Sequence, residues 1–295
     1  MNNEHRLYAV VLRMAALRRG AVPADHYKES MSALYHLINL GDAELAQTLH
    51  DMNIHKPFTV SLLNGGKRDR EGAQHFGDGD TAEWRFTLLR DPAFEALIQR
   101  YIRSRDLPHV RVGAVEFAIT DAFVSGSHPD SGYVSLGTLT ELYQRVPEAC
   151  DRVVTLDFLS PTAFNLGTDR ETGRRRFRAL PDPKTVFSTL RKRWARLGGA
   201  EPGDEFDAWV ERTIEAEPLS LRWQSVMVEK TVIRGFLGRV RFRHWGADRR
   251  WLPLLHLLAD LSFYTGVGYQ TTRGMGQVRH DKTGERREQN ENRNP

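Results

Sequence analysis

Trp84-Arg85-Phe86-Thr87-Leu88-Leu89-Arg90-Asp91-Pro92-Ala93-Phe94-Glu95-Ala96-Leu97-Ile98 is the stretch from which the fold can be read. Trp84, Phe86 and Leu88 alternate with polar partners, the period-two pattern of a strand with one buried face. Asp91-Pro92 then supplies the chemistry of a helix start, with Asp as N-cap and Pro at the first helical position. Phe94, Leu97, Ile98, Tyr101 and Ile102 follow at helical spacing and form an apolar stripe. A strand therefore runs directly into a helix.

Toward the N-terminus, residues 58–63 read as a second strand. Residues 64–80, rich in Gly, Asp and Lys/Arg, read as the turn or loop between the two. Tyr27, Met31, Leu34 and Ile38 recur at helical spacing, and residues 7–12 read as a buried strand before them. Asp42 can cap a short second helical piece with Leu45 and Leu49 on one face, and His50 stands where that piece runs out. Toward the C-terminus, residues 110–119 read as one further strand. The order strand, helix, strand, strand, helix, strand is the ferredoxin-like split βαβ pattern, an α+β fold.

Residues 125–132 (Ser, Gly, Ser, His, Pro, Asp, Ser, Gly) interrupt the pattern and read as a linker. The second half repeats the order of the first without a clear sequence repeat. Residues 153–158 read as a strand, and Asp182-Pro183 repeats the helix start. Val186, Phe187, Leu190 and Trp194 then follow at helical spacing. Residues 223–233 and 236–242 read as strands. In the second, Phe236, Gly238, Val240 and Phe242 alternate with Leu237, Arg239, Arg241 and Arg243, so one face packs and the other presents guanidinium groups. Residues 251–264 read as a buried helix with Pro253 in its first turn, and residues 275–279 as a closing strand. The expected domains are residues 1–124 and 133–280. Residues 281–295, polar and without large apolar side chains, are expected to be a disordered tail.

The chain has 295 residues, 27% of them charged, and a net charge of +4. The basic residues are clustered: Arg174, Arg175, Arg176 and Arg178; Arg191, Lys192, Arg193 and Arg196; Arg239, Arg241 and Arg243. One such cluster is as readily a solvated face, but three in one half point to a polyanion. No apolar run reaches the ~18 residues of a membrane span, so no membrane partner is expected. No secretory signal is evident. Cys150 is the only cysteine, which excludes an internal disulfide and a cysteine-based zinc site and makes the cytoplasm the expected location.

Tyr35, His50, His55 and Lys56 fall near one helix-to-strand junction. RNA is cleaved without metal when its own 2′-hydroxyl attacks the adjacent phosphate, given a base, an acid and a donor for the extra charge on phosphorus. Imidazole serves as base or acid near neutrality, and Lys suits a phosphate oxygen. Each of these side chains alone has a bland reading: Tyr35 beside a core stripe, and Lys56, His55 and His36 solvated. A His50/His55 metal pair has no carboxylate or cysteine at ligand spacing, so no metal is expected. Gly266-Val-Gly268-Tyr-Gln-Thr-Thr-Arg273-Gly274-Met-Gly276 superficially matches a dinucleotide loop. It follows a helix, precedes none and has Thr271 at the third glycine position, so no nucleotide cofactor is expected. Its glycines can bring backbone close to other backbone or to phosphates.

Together these residues resemble the CRISPR-associated endoribonuclease family Cas6 of the repeat-associated mysterious protein superfamily. The residues carrying the resemblance are the paired units Gly266-Val267-Gly268 and Gly274-Met275-Gly276 after Phe263-Tyr264-Thr265, the Phe158–Phe164 segment, Leu180-Pro181-Asp182-Pro183 with Val186-Phe187, Gly235-Phe236-Leu237-Gly238, and Leu49-His50 through Lys56-Pro57-Phe58-Thr59-Val60-Ser61. It covers nearly the whole chain except the tail.

The resemblance implies two tandem ferredoxin-like (RNA-recognition-motif-like) domains and metal-independent cleavage of precursor CRISPR RNA within its repeats. The products would be a 5′-hydroxyl and a 2′,3′-cyclic phosphate or 3′-phosphate. It implies His50 as general base or acid, Lys56 at the scissile phosphate, and Tyr35 orienting the 2′-hydroxyl or assisting proton transfer. RNA contacts are expected from Arg174, Arg175, Arg176, Arg191, Arg193, Arg239, Arg241, Arg243 and Arg273 with Gly266, Gly268, Gly274 and Gly276. Trp223, Trp245 and Tyr269 are the candidates for base stacking. CRISPR repeat RNA is the expected partner, with effector-complex subunits and a second copy of the chain as open ones. A non-catalytic RNA-binding subunit is the alternative function.

Overall fold

The computed structural model describes residues 5–52, 55–103, 109–228 and 231–282. The side chains of Tyr101 and Ile102 and residues 283–295 of the expected tail lie outside what is described. The chain divides into two compact units, residues 5–135 with 272–274, and residues 136–271 with 275–282. None of the described helices is long and apolar enough to cross a membrane.

The N-terminal unit contains β1 (Arg6–Ala16), α1 (Tyr27–Gly41), α2 (Ala43–Asp51), β2 (Phe58–Val60), β3 (Thr81–Leu88), α3 (Asp91–Arg103) and β4 (Val115–Phe123). These strands pair antiparallel in the order β2-β3-β1-β4, the ferredoxin-like arrangement of two interleaved βαβ halves. Leu7, Tyr8, Ala9, Val10, Val11 and Leu12 are all buried, as the unbroken apolar run requires of a central strand. On β3, Ala82, Trp84, Phe86 and Leu88 join Leu34, Leu37 and Ile38 of α1 and Ala93 and Leu97 of α3 in one core. Each large side chain so buried contributes roughly 1.5–3 kcal/mol.

Three details differ from the sequence reading. Asp91 is the first residue of α3, and its carboxylate accepts a hydrogen bond from the Tyr8 hydroxyl at 2.9 Å, tying the helix start to β1. The single strand expected at 110–119 is two, because Gly113 adopts φ +60 and turns a hairpin in which Val112 faces Val115. Residues 132–135, starting at the last residue of the expected linker, pair with β1 (Ala9 opposite Gly132), so the first unit extends through Ser135.

The C-terminal unit contains β5 (Val153–Thr162), β6 (Phe164–Thr168), β7 (Arg175–Arg178), α4 (Pro183–Arg196), α5 (Asp204–Thr213), β8 (Ile214–Val228), β9 (Thr231–His244), α6 (Leu252–Thr265) and β10 (Val278–His280). Its sheet order, β8-β9-β5-β10, is the same ferredoxin-like order. Asp182 caps α4 by accepting from the Thr185 N–H at 2.9 Å, with Pro183 in the first turn. Phe236, Val240 and Phe242 are buried while Arg239 on the other face is exposed. Gly238 lies at φ +123 opposite a register shift, where a Cβ would stand 2.0 Å from the Ser220 carbonyl oxygen. The β6–β7 hairpin and α5 are additions to the pattern that the sequence reading did not contain.

Candidate active site

α2 is short, and its C-terminal turn carries His50, the candidate catalytic histidine. Leu49 is buried against the core and His50, the next residue, is exposed, with 68% of its side chain open. Met52 ends the helix, and the chain returns to enter β2 at Phe58. His55, on that return, adopts φ +56 and is exposed, and His36 is exposed on α1.

Lys56 reaches back to the helix end. Its ammonium donates to the Leu49 carbonyl at 2.6 Å and the His50 carbonyl at 2.8 Å, satisfying acceptors that a helix C-terminus leaves open. The Tyr35 hydroxyl, from α1, donates to the Leu49 carbonyl at 3.3 Å. The Tyr35 ring meets the His50 imidazole edge-on at 5.6 Å between centroids, and Lys56 Nζ lies 5.4 Å from the same ring. The three residues predicted as a set are therefore brought together around one helix terminus.

Burial pushes the Tyr35 hydroxyl up to about 12, with the charge of Arg273 opposing, so the phenol keeps its proton across the neutral range. Burial also lowers Lys56 below the usual lysine value, with Asp51 opposing and Arg273 assisting. The sequence reading passed over Asp51. Its carboxylate lies 3.1 Å from His50 Nδ1 and is held low by hydrogen bonds from Gln47 and His50. Engaging Nδ1 leaves Nε2 for proton exchange with a substrate. A carboxylate next in the chain to the candidate histidine was the available signal.

Arg273 stands apart from the other arginines. Residues 272–274 pack with the N-terminal unit, and the Arg273 guanidinium lies 5.6 Å from the Tyr27 ring centroid. Its charge acts on both Tyr35 and Lys56, so it belongs to the histidine's surroundings. Among the described residues no group of three or more His, Cys, Asp or Glu is placed to hold a metal ion.

The glycine motif is built for backbone-on-backbone packing. Gly266, Gly268, Gly274 and Gly276 all have positive φ. A Cβ would meet the Gly276 carbonyl at 2.6 Å from Gly266, the Ala163 carbonyl at 2.5 Å from Gly268, and the Val267 carbonyl at 1.9 Å from Gly276. At Gly274 it would crowd the Leu62 side chain at 3.2 Å.

Two arginines grouped from sequence with the phosphate contacts turn inward. Phe187, Leu190, Arg191 and Trp194 share the buried stripe of α4, so Arg191 is 4% exposed and pairs with Glu201 at 2.6 Å and Asp207 at 2.9 Å. Arg193 donates to the carbonyls of Thr265, Gly266 and Gly268, bracing the first turn of the glycine motif. Burial, with Arg196 nearby, pulls it below the usual arginine value.

The remaining arginines lie at the surface. Arg174, Arg175 and Arg176 sit on the β6–β7 hairpin, where Arg175 donates to the Tyr269 hydroxyl at 3.1 Å. On β9, Arg239 pairs with Asp157 at 2.7 Å and Arg241 with Glu217 at 3.4 Å, while the Arg243 guanidinium lies 5.5 Å from the Trp245 ring.

Residues 156–278 match the family model described as CRISPR-associated endoribonuclease Cas6, and residues 21–123 match CRISPR-associated protein Cas6, N-terminal. The chain belongs to the Cas6 family. A Thermus thermophilus protein solved as a Cas6 (TTHB231) product complex is 26% identical, with 93% of this chain and 99% of that one covered and a TM-score of 0.74. A second Cas6 (TTHA0078) product complex is 25% identical over 94% of this chain and 99% of that one, at TM-score 0.69. A Cas6-related protein from Pyrococcus furiosus shares the fold at 14% identity, 94% and 99% coverage and TM-score 0.62. Comparison with curated proteins returns no match. Cas6 membership places the chain among proteins of CRISPR RNA processing or binding, in a family of RNA endonucleases.

Proposed function

We propose that the chain cleaves precursor CRISPR RNA within its repeats without a metal ion, by attack of a 2′-hydroxyl on the neighbouring phosphate. The observation that carries this reading is the exposed His50 imidazole, with Asp51 at Nδ1 and the Tyr35 ring at its side, on a helix end pinned by Lys56. The bond from the 2′-oxygen to phosphorus forms as the bond from phosphorus to the 5′-oxygen breaks. A proton leaves the 2′-hydroxyl and one arrives on the departing 5′-oxygen, giving a 2′,3′-cyclic phosphate and a 5′-hydroxyl. His50 Nε2 serves one of these two transfers.

Lys56 has three N–H donors, two of them engaged by helix carbonyls, and the third suits a phosphate oxygen. Its first task in this reading is to hold the turn that carries His50. Tyr35, protonated throughout the neutral range, acts in this reading as a neutral hydrogen-bonding group that orients the 2′-hydroxyl. Arg273 adds positive charge beside the same cluster. The exposed hairpin arginines Arg174, Arg175 and Arg176, together with the Arg239/Arg241/Arg243 face, supply phosphate contacts.

The test is cleavage of the protein's own repeat RNA in chelator. Wild type is expected to cut, and His50→Ala to cut about 10²–10⁴-fold more slowly with RNA binding retained. A requirement for divalent metal, or full activity in His50→Ala, overturns the mechanism. Binding by wild type with no cutting favours the non-catalytic RNA-binding subunit.

A further inference from the structure

Of the three aromatic candidates for base stacking, the structure distinguishes one. Trp223 donates its indole N–H to the Ala179 carbonyl at 3.1 Å and has Arg234 over its ring. Tyr269 is half-buried, accepts a hydrogen bond from Arg175 and packs on Phe177. Trp245, 65% exposed, is the most open of the large hydrophobic side chains among the described residues.

Its place in the fold gives that exposure a meaning. Arg239, Arg241 and Arg243 alternate along one face of β9, and Trp245 continues the same two-residue period just past the strand end. The Arg243 guanidinium lies 5.5 Å from the indole centroid, so both side chains stand on the same side. The backbone beneath is fixed. Trp245 N–H donates to the Thr213 carbonyl at 3.0 Å, His244 N–H to the Arg152 carbonyl at 2.8 Å, and the Arg152 guanidinium to the Gly246 carbonyl at 3.0 Å. An indole is thus presented to solvent at a hydrogen-bonded strand end, following a row of arginines in which Arg239 pairs with Asp157 and Arg241 with Glu217.

The row also has length. Phe236, opposite Thr162 near the glycine motif, is seven residues from Arg243, roughly 23 Å at about 3.3 Å per residue. A nucleotide at Trp245 is therefore distinct from one docked at the glycine end. We infer that Trp245 is a stacking platform for an unpaired base of an RNA strand whose phosphates run along the Arg239/Arg241/Arg243 row. An aromatic face with neighbouring guanidinium groups suits single strands, whose bases are open to stacking, and not A-form duplex, whose bases are already stacked. This rests on the reading of the chain as an RNA-binding protein.

The test uses the full chain with Trp245→Ala and Trp245→Phe, a single-stranded oligoadenylate of about 20 nucleotides and a blunt RNA duplex of the same length. Oligoadenylate binding is expected to weaken roughly 5- to 100-fold in Trp245→Ala and to recover most of that in Trp245→Phe. Duplex binding is expected to stay unchanged. Wild-type indole fluorescence is expected to fall on oligoadenylate binding, and less so in Trp245→Ala. Equal losses for both RNAs, no loss for either, or an effect confined to self-association of the chain overturns the platform. If wild type bound neither these RNAs nor its own repeat, the RNA-binding reading itself would fall with it.

Discussion

The two units share one strand order and differ in where they keep their reactive groups. The N-terminal unit inserts α2 between α1 and β2, and its imidazole stands on the end of that insertion. The C-terminal unit inserts the β6–β7 hairpin between β5 and α4, and carries its exposed cations there and on a strand face. In both, the buried central strands settle the fold, while additions between elements carry candidate site residues. One unit thus carries the candidate acid–base groups and the other most of the arginines proposed to contact phosphates.

The sharpest way to break that division is to damage the glycine motif. Gly276 and Gly173 have nearly the same backbone, φ +66 and +65, but a Cβ at Gly276 would collide with the Val267 carbonyl, whereas at Gly173 nothing lies within 4 Å. Gly173→Ala therefore tests left-handed strain alone, expected at about 1 kcal/mol. Gly276→Ala adds the collision and is expected to cost at least ~2–3 kcal/mol in urea unfolding. Equal costs would show that the close approach does not matter.

A smaller effect separates surface cations from buried ones. Replacing Arg174, Arg175 and Arg176 together by Ala is expected to flatten the dependence of RNA binding on salt. The slope should fall by about 0.7–0.9 for each phosphate that is no longer neutralised. Arg191→Gln, on the buried stripe of α4, is expected to leave that slope unchanged and to lower stability, because Asp207 and Glu201 are deprived of their shared partner. A salt-slope change in Arg191→Gln would place it back among the phosphate-binding arginines.

The central strands and capped helices were legible because their signals are local: alternation in Trp84-Phe86-Leu88, Asp182-Pro183 opening α4, and the apolar run of β1. β8 was mostly missed because it is an edge strand whose burial leaves most of Glu215–Met227 exposed, so no hydrophobic pattern marks it. The Val110–Val115 hairpin was read as one strand because apolar residues continue through the turn, and only the φ of Gly113 reveals it. Tyr35, His50 and Lys56 could be grouped because they lie close in the chain. Arg273 could not be placed with them, since folding brings residues 272–274 to the N-terminal unit from near the other end of the sequence. Arg191 was misread because a guanidinium on an apolar stripe looks like surface charge until its carboxylate partners are seen.

Each unit also buries a histidine, and acid should expose how alike they are. His26 Nδ1 lies 2.6 Å from the Pro23 carbonyl and Nε2 accepts from the Leu63 N–H at 2.8 Å, an arrangement that only the neutral ring satisfies. Burial lowers its pKa, the Pro23 carbonyl opposing in part. His244, buried and stacked on Trp209 at 5.0 Å, is lowered by burial and by Arg152. A histidine with a depressed folded-state pKa contributes stability that is full above the unfolded value of about 6.5 and declines as pH falls below it, because the unfolded chain then binds more protons. Each ring can account for at most ~1.4 kcal/mol per pH unit in that window. Urea midpoints measured from pH 7.5 down to pH 5 should fall, and His26→Gln should remove part of the slope while leaving the share due to His244. An unchanged slope in His26→Gln would mean that the neutral ring between Pro23 and Leu63 is not what acid attacks in the N-terminal unit.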